Sequence, residues 1–137
     1  MLSRIVLAFA LALAVAVPAY AEHPHEARVL RVIDGDTFEA EIIVGQDVFL
    51  RNRVRFPAID APEWSDACAS ARNLYERSKQ RLEQLAGERV LLSNIRKGWY
   101  GRVIADVHSM DGEDIAAVLL QEGLVRAYHG HRSPWCP

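Results

Sequence analysis

Short runs of alternating and β-branched residues, separated by brief turns, dominate the first half of the chain. Ala27 to Ile33 contains V-L-R-V-I and runs into Asp34-Gly35-Asp36, the pattern of a strand ending in a turn. Thr37 to Val44 alternates Phe38 and Ala40 with Glu39 and Glu41, as a half-buried strand does. Gly45-Gln46-Asp47 turns the chain again. Val48 to Phe56 predicts a third strand whose Arg51, Arg53 and Arg55 share one basic face. The period then lengthens: Ala67, Ala71, Leu74, Ser78, Leu82 and Leu85 recur every three or four residues. They predict a helix capped by Ser65 or Asp66 and stopped by Gly87. Glu88–Ile95 and Arg102–His108 predict two more strands. Glu113–Glu122, ended by Gly123, predicts a second helix that turns Ile115, Val118 and Leu119 inward. Residues 125–137 read as mostly irregular.

The predicted order is β-β-β-α-β-β-α, with short strands and no long crossover. It indicates a β-rich α+β fold built as a small five-stranded barrel with two packed helices, a small α+β roll being the competing architecture. At 137 residues the chain accommodates one domain.

The first residues change that picture. Met1-Leu2-Ser3-Arg4, an apolar run from Ile5 to Val17 and the ending Ala19-Tyr20-Ala21 have the three parts of a secretory signal peptide. Cleavage is expected after Ala21, leaving a single domain over residues 22–137; an uncleaved membrane anchor is the alternative. The exported protein is then expected in the periplasm or outside the cell. Losing Arg4 and no acid takes the net charge from −2 to −3, so a polyanion has to be met by a local basic patch or a metal. In an oxidising compartment Cys68 and Cys136 are expected to close a disulfide, worth roughly 4 kcal/mol on the chain-entropy argument; two separate buried thiols are the alternative. His23 and His25 lie in a Pro-bearing segment that reads as a mobile, solvated N-terminus.

Candidate chemistry concentrates between Val54 and Glu63, V-R-F-P-A-I-D-A-P-E. Arg55 and Phe56 point to opposite faces of a strand, and Pro62 stiffens the bend that carries Asp60 and Glu63. Asp34 and Asp36 add two carboxylates across a glycine. Such an inventory of oxygen donors suits a hard cation such as Ca²⁺, and no His or Cys spacing suits zinc. Trp99-Tyr100-Gly101-Arg102 places a second arginine beside a loop glycine, and two arginine forks near a metal suit the extra charge of a five-coordinate phosphorus. Each element alone also has a plain reading, an Arg–Asp ion pair at a strand end or a solvated charged face.

Together, V-I-D-G-D-T (Val32–Thr37), R-x-x-x-x-D-A-P-E (Arg55–Glu63), Y-G-R (Tyr100–Arg102) and Q-E-G-L-V-R-A-Y (Gln121–Tyr128) resemble, in order, the staphylococcal nuclease (thermonuclease) family. The similarity runs from about residue 27 to 128, leaving a tail at 129–137. It implies an OB-type barrel and calcium-dependent hydrolysis of DNA and RNA to 5′-hydroxyl and 3′-phosphate ends. It further implies Asp36, Asp60 and the Ala61 backbone carbonyl as calcium ligands, with Asp34 acting on the ion through water. Glu63 matches the glutamate that orients or deprotonates the attacking water, and Arg55 and Arg102 match the phosphate-clamping arginines. Tyr100 and Tyr128 become candidates for substrate contact, and a monomer without a stable protein partner is expected.

Three departures bear on substrate grip. Trp64-Ser65 leads almost directly into the helix where well-known members carry a lysine-rich loop, and Trp99 replaces a lysine and offers a face for base stacking. Trp135-Cys136 replaces a third helix, consistent with a disulfide to Cys68 in place of the lost packing. The competing functions are an OB-fold module that holds a polyanion on the Arg51, Arg53 and Arg55 face without cutting it, and a calcium-stabilised structural module. Glu63 and Arg102 argue against both, because binding alone requires neither beside a metal site.

Overall fold

The computed structural model describes residues 23–137, so the proposed signal peptide lies outside the described residues. The elements follow as β1 (His25–Asp34), β2 (Thr37–Gly45), β3 (Val48–Arg55), β4 (Ile59–Asp60), α1 (Ala69–Ala86), β5 (Arg89–Lys97), a 3₁₀ turn (Trp99–Gly101), β6 (Val103–Ser109), α2 (Ile115–Gln121) and β7 (Arg126–Ala127). Five strands close a barrel in the order β1-β2-β3-β6-β5, with β5 paired back to β1. Among the described strands only the β3–β6 pair is parallel, through Val54↔Val103 and Arg55↔Ile104. The β-rich α+β barrel with two helices expected from the sequence is therefore the observed architecture.

Alternation along the strands fills the barrel. Phe38, Ala40 and Ile42 of β2 and Val54 of β3 are buried, and Phe38 meets Phe56 edge to face with ring centroids 6.1 Å apart. Helix α1 buries Ala71, Tyr75, Ser78, Leu82 and Ala86, one stripe at helical spacing. Leu82 is fully buried, and its truncation to alanine is expected to cost about 2–5 kcal/mol. The Tyr75 hydroxyl donates to the Ile33 carbonyl at 3.0 Å, fastening α1 to the end of β1. Asp114 caps α2 by accepting from the Ala117 N–H at 3.1 Å.

Three local features differ from the sequence expectation. Strand β1 starts at His25, whose Nδ1 lies 3.0 Å from the Ile43 carbonyl, so His25 belongs to the barrel and not to a mobile segment. Neither Ser65 nor Asp66 caps α1. Cys68 is the residue before its first turn, and Asp66 accepts the Glu63 N–H instead. Finally, the segment beyond residue 125 is not wholly irregular: β7 pairs with β4 through Ile59↔Ala127 and Asp60↔Arg126. The disulfide joins Cys68 to Cys136 with Cα atoms 5.8 Å apart. It fastens the last residues to the start of α1.

Candidate active site

The β1–β2 turn presents Asp34, Gly35 and Asp36 to the end of the barrel. Asp34 accepts the Asp36 N–H at 3.0 Å, an Asx-type bond that shapes the turn. Asp36 accepts the Thr37 hydroxyl on one oxygen at 2.7 Å and the Ala61 N–H on the other at 2.8 Å. Both aspartates are buried. Burial, with the Asp36 charge adding to it, pushes the Asp34 carboxyl up to about 8, although the Asp36 N–H works the other way.

Arg55 ends β3 inside this cluster. It donates to the carbonyls of Phe56 and, at 3.2 Å, Ile59. Its guanidinium lies 3.6 Å from Asp36 and 3.8 Å from Asp60, within ion-pair range but beyond hydrogen-bond length. The Tyr128 ring faces it at 4.9 Å. Arg55 is thus held by backbone carbonyls while its charge faces two carboxylates.

Asp60 is placed by the β4–β7 pair. One of its oxygens accepts the Trp135 indole N–H at 3.0 Å and lies 3.5 Å from Arg126. The other has Arg55 at 3.8 Å and Arg132 at 4.0 Å and takes no hydrogen bond from the described residues. Ala61 follows, buried, with its N–H on Asp36. Glu63 projects further out and pairs with Arg132 at 2.5 Å. Arg132 also holds Asp66 at 2.7 Å, and Asp66 takes the Glu63 N–H at 2.8 Å, a closed triangle around the glutamate.

Arg102 arrives from the opposite side, at the start of β6. Gly98 N–H donates to the Arg102 carbonyl at 2.8 Å, closing the loop that carries Trp99 and Tyr100. These aromatics are 82% and 95% exposed, so neither packs into the core. Asp34, Asp36, Arg55, Glu63 and Arg102 line one cleft of about 380 Å³, with Trp64 and Tyr75 on its wall. Of the residues singled out from the sequence, Asp60 and Ala61 are not in the lining of this cleft, Tyr128 stacks on Arg55, and Trp99 and Tyr100 stand on the Arg102 loop.

The donor set is the hard-oxygen type a calcium ion takes. Among the described residues no three His, Cys, Asp or Glu side chains converge to ligate an ion. Two carboxylates, a backbone carbonyl and water satisfy that constraint.

The basic face read along β3 does not stand free. Arg51 lies opposite Glu41 and Arg53 opposite Glu39 in the β2–β3 register. On the other side Arg31 pairs with Glu39 at 2.6 Å and Arg28 with Glu41 at 3.4 Å. Four arginines thus share two glutamates, and the stripe keeps a net positive charge.

Sequence reading missed Arg126, Arg132 and Trp135. The available signal was adjacency: any bridge that brings Cys136 to Cys68 brings Trp135 with it.

A family model described as staphylococcal nuclease homologue matches residues 53–135. A micrococcal nuclease of Shigella flexneri is 33% identical over 137 residues, covering 93% of this chain and 71% of its own length. An uncharacterized endonuclease of Escherichia coli is 30% identical over 108 residues, covering 77% of this chain and 63% of its own length. The chain thus spans less than two thirds of that second relative. With one match running from Arg53 to Trp135 and a relative one-third identical over nearly the whole sequence, this chain belongs to the staphylococcal nuclease homologue family.

Proposed function

We propose that the protein is an exported, calcium-dependent nuclease that hydrolyses phosphodiester bonds of DNA or RNA to 5′-hydroxyl and 3′-phosphate ends. The observation that carries this reading is the convergence of Asp34, Asp36, Arg55, Glu63 and Arg102 on one cleft. The nuclease names of the relatives support the substrate class. Asp36, Asp60 and the Ala61 carbonyl are the groups that would hold calcium, with Asp34 reaching it through water. When bound, the ion supplies charge neutralisation and polarisation of the phosphate.

The chain's own groups perform the remaining work. Glu63 takes a hydrogen bond from the attacking water and receives its proton. Arg55, held by two carbonyls, presents fixed donors to a phosphate oxygen with little reorganisation. Arg102, on the opposite wall, meets the charge that develops toward the leaving 5′-oxygen. Tyr100, Trp99 and Tyr128 contact the nucleotides that flank the scissile bond. Export is accompanied by cleavage after Ala21, which N-terminal sequencing of the secreted protein would register.

The test is cleavage of a long single-stranded DNA by the purified protein in calcium or in chelator, beside Glu63→Gln and Arg102→Ala. Calcium-dependent fragments with 3′-phosphate ends are expected, with each substitution slowing cleavage by about 10²–10³-fold. Intact DNA in calcium would overturn the reading.

A further inference from the structure

The last residues of the chain reach back to the two carboxylates that the proposed mechanism uses most directly. Trp135 donates its indole N–H to one oxygen of Asp60 at 3.0 Å, and Asp60 is buried. That oxygen is thereby engaged, and the second oxygen, without a hydrogen bond from the described residues, is the one left for another ligand. Arg132 grips Glu63 at 2.5 Å and Asp66 at 2.7 Å through separate nitrogens, while Asp66 holds the Glu63 backbone. The Cys68–Cys136 disulfide fixes the segment that carries both residues, and the Cys68 N–H points to the Cys136 sulfur at 3.2 Å.

We propose that Trp135 and Arg132 are positioning residues of the active site, Trp135 orienting Asp60 for the cation and Arg132 orienting Glu63 for the water. This rests on the nuclease reading above. Partners that orient a metal-binding carboxylate are commonly worth 10–100-fold in metal affinity or activity, and a carboxylate on a short bend has few other constraints on its rotation. The two roles separate experimentally. Trp135 acts on the group that holds the cation, and Arg132 acts on the group that handles the water.

The experiment compares the full protein with Trp135→Phe, Arg132→Gln and Arg132→Lys, all retaining the disulfide. Calcium Kd is read by calorimetry, kcat and KM on single-stranded DNA, and Tm by circular dichroism. Phenylalanine keeps an aromatic ring beneath Arg126 while removing the N–H donor and part of the indole's volume, and Tm reads the packing loss. Trp135→Phe is expected to weaken calcium binding by about 10–100-fold. Arg132→Gln is expected to lower kcat by about 10-fold or more with KM unchanged and calcium Kd no weaker, since it also removes a positive charge 4.0 Å from Asp60, and Arg132→Lys to restore part of the rate. If the variants bind and cut like the unsubstituted protein, the proposal is overturned while the nuclease reading stands. If activity falls only in step with Tm, the residues are structural and the proposal is likewise overturned. If the unsubstituted protein neither binds calcium nor cuts, the nuclease reading fails and takes this inference with it.

Discussion

Gly35 and Ser78 approach so closely that residue 35 has no room for a side chain. A Cβ there would lie 2.6 Å from the Ser78 Cβ and 2.5 Å from its hydroxyl oxygen. Helix α1 is thus seated directly on the turn that carries Asp34 and Asp36, and the glycine is required by proximity.

Gly35→Ala is therefore expected to destabilise the protein by about 1–3 kcal/mol through overpacking, and to shift Asp34 and Asp36 with the turn. Ser78→Ala does not relieve it, since the Ser78 Cβ remains. Urea unfolding of the single and double variants checks this: a double variant as stable as Ser78→Ala alone would refute the steric account.

The Asp34 carboxyl gives the metal-free protein a specific pH dependence. Its pKa is about 8 when folded and near 3.8 otherwise, so folding takes up a proton between these values. The stability this group contributes is complete below about pH 4 and is lost as pH rises towards 8, with a slope of at most about 1.4 kcal/mol per pH unit. Unfolding in chelator at pH 5, 6 and 7 should show Asp34→Asn with a flatter profile than the parent. Added calcium should reduce the difference.

Arg55→Met keeps an unbranched side chain but removes the charge between Asp36 and Asp60 and the donors to two carbonyls. A loss of about 3–5 kcal/mol is expected, as for a buried pair stripped of one partner. Calcium should recover part of the stability by supplying positive charge and none of the lost cleavage, which separates the structural from the catalytic role of this arginine. Tm and kcat, each with and without the ion, are the measurements.

Trp99 is exposed on the Arg102 loop and has no packing role to lose. Trp99→Ala should leave Tm and kcat near parental values and raise KM on single-stranded DNA. A lost stack of about 1–3 kcal/mol corresponds to roughly 5- to 150-fold. An unchanged KM on oligonucleotides of several lengths would remove Trp99 from substrate contact.

The barrel was readable because the spacing of apolar residues changes from two to nearly four beyond Glu63, and because Gly-Asp turns mark the strand ends. The β4–β7 pair was not, since two-residue strands carry no period. The start of α1 was misplaced because the Asp66 side chain serves Glu63 in preference to the helix. The arginine stripe of β3 was legible, but one strand's alternation says nothing of the glutamates on its neighbour. Asp34, Asp36, Arg55, Glu63 and Arg102 were legible as an ordered series. Arg132 and Trp135 form no local pattern and reach the site only through long-range folding.

The alternating ladder of Arg31, Glu39 and Arg53 across β1, β2 and β3 fixes how this protein should respond to ionic strength. Glu39 is taken by Arg31, which leaves Arg53, with Arg55 and Arg102, as the arginines of the cleft that meet phosphates. With about two or three phosphates neutralised, the logarithm of affinity for single strands should fall with the logarithm of salt at a slope of roughly −2. Grip on the polymer would then survive in brines where proteins that coat the backbone with lysines let go.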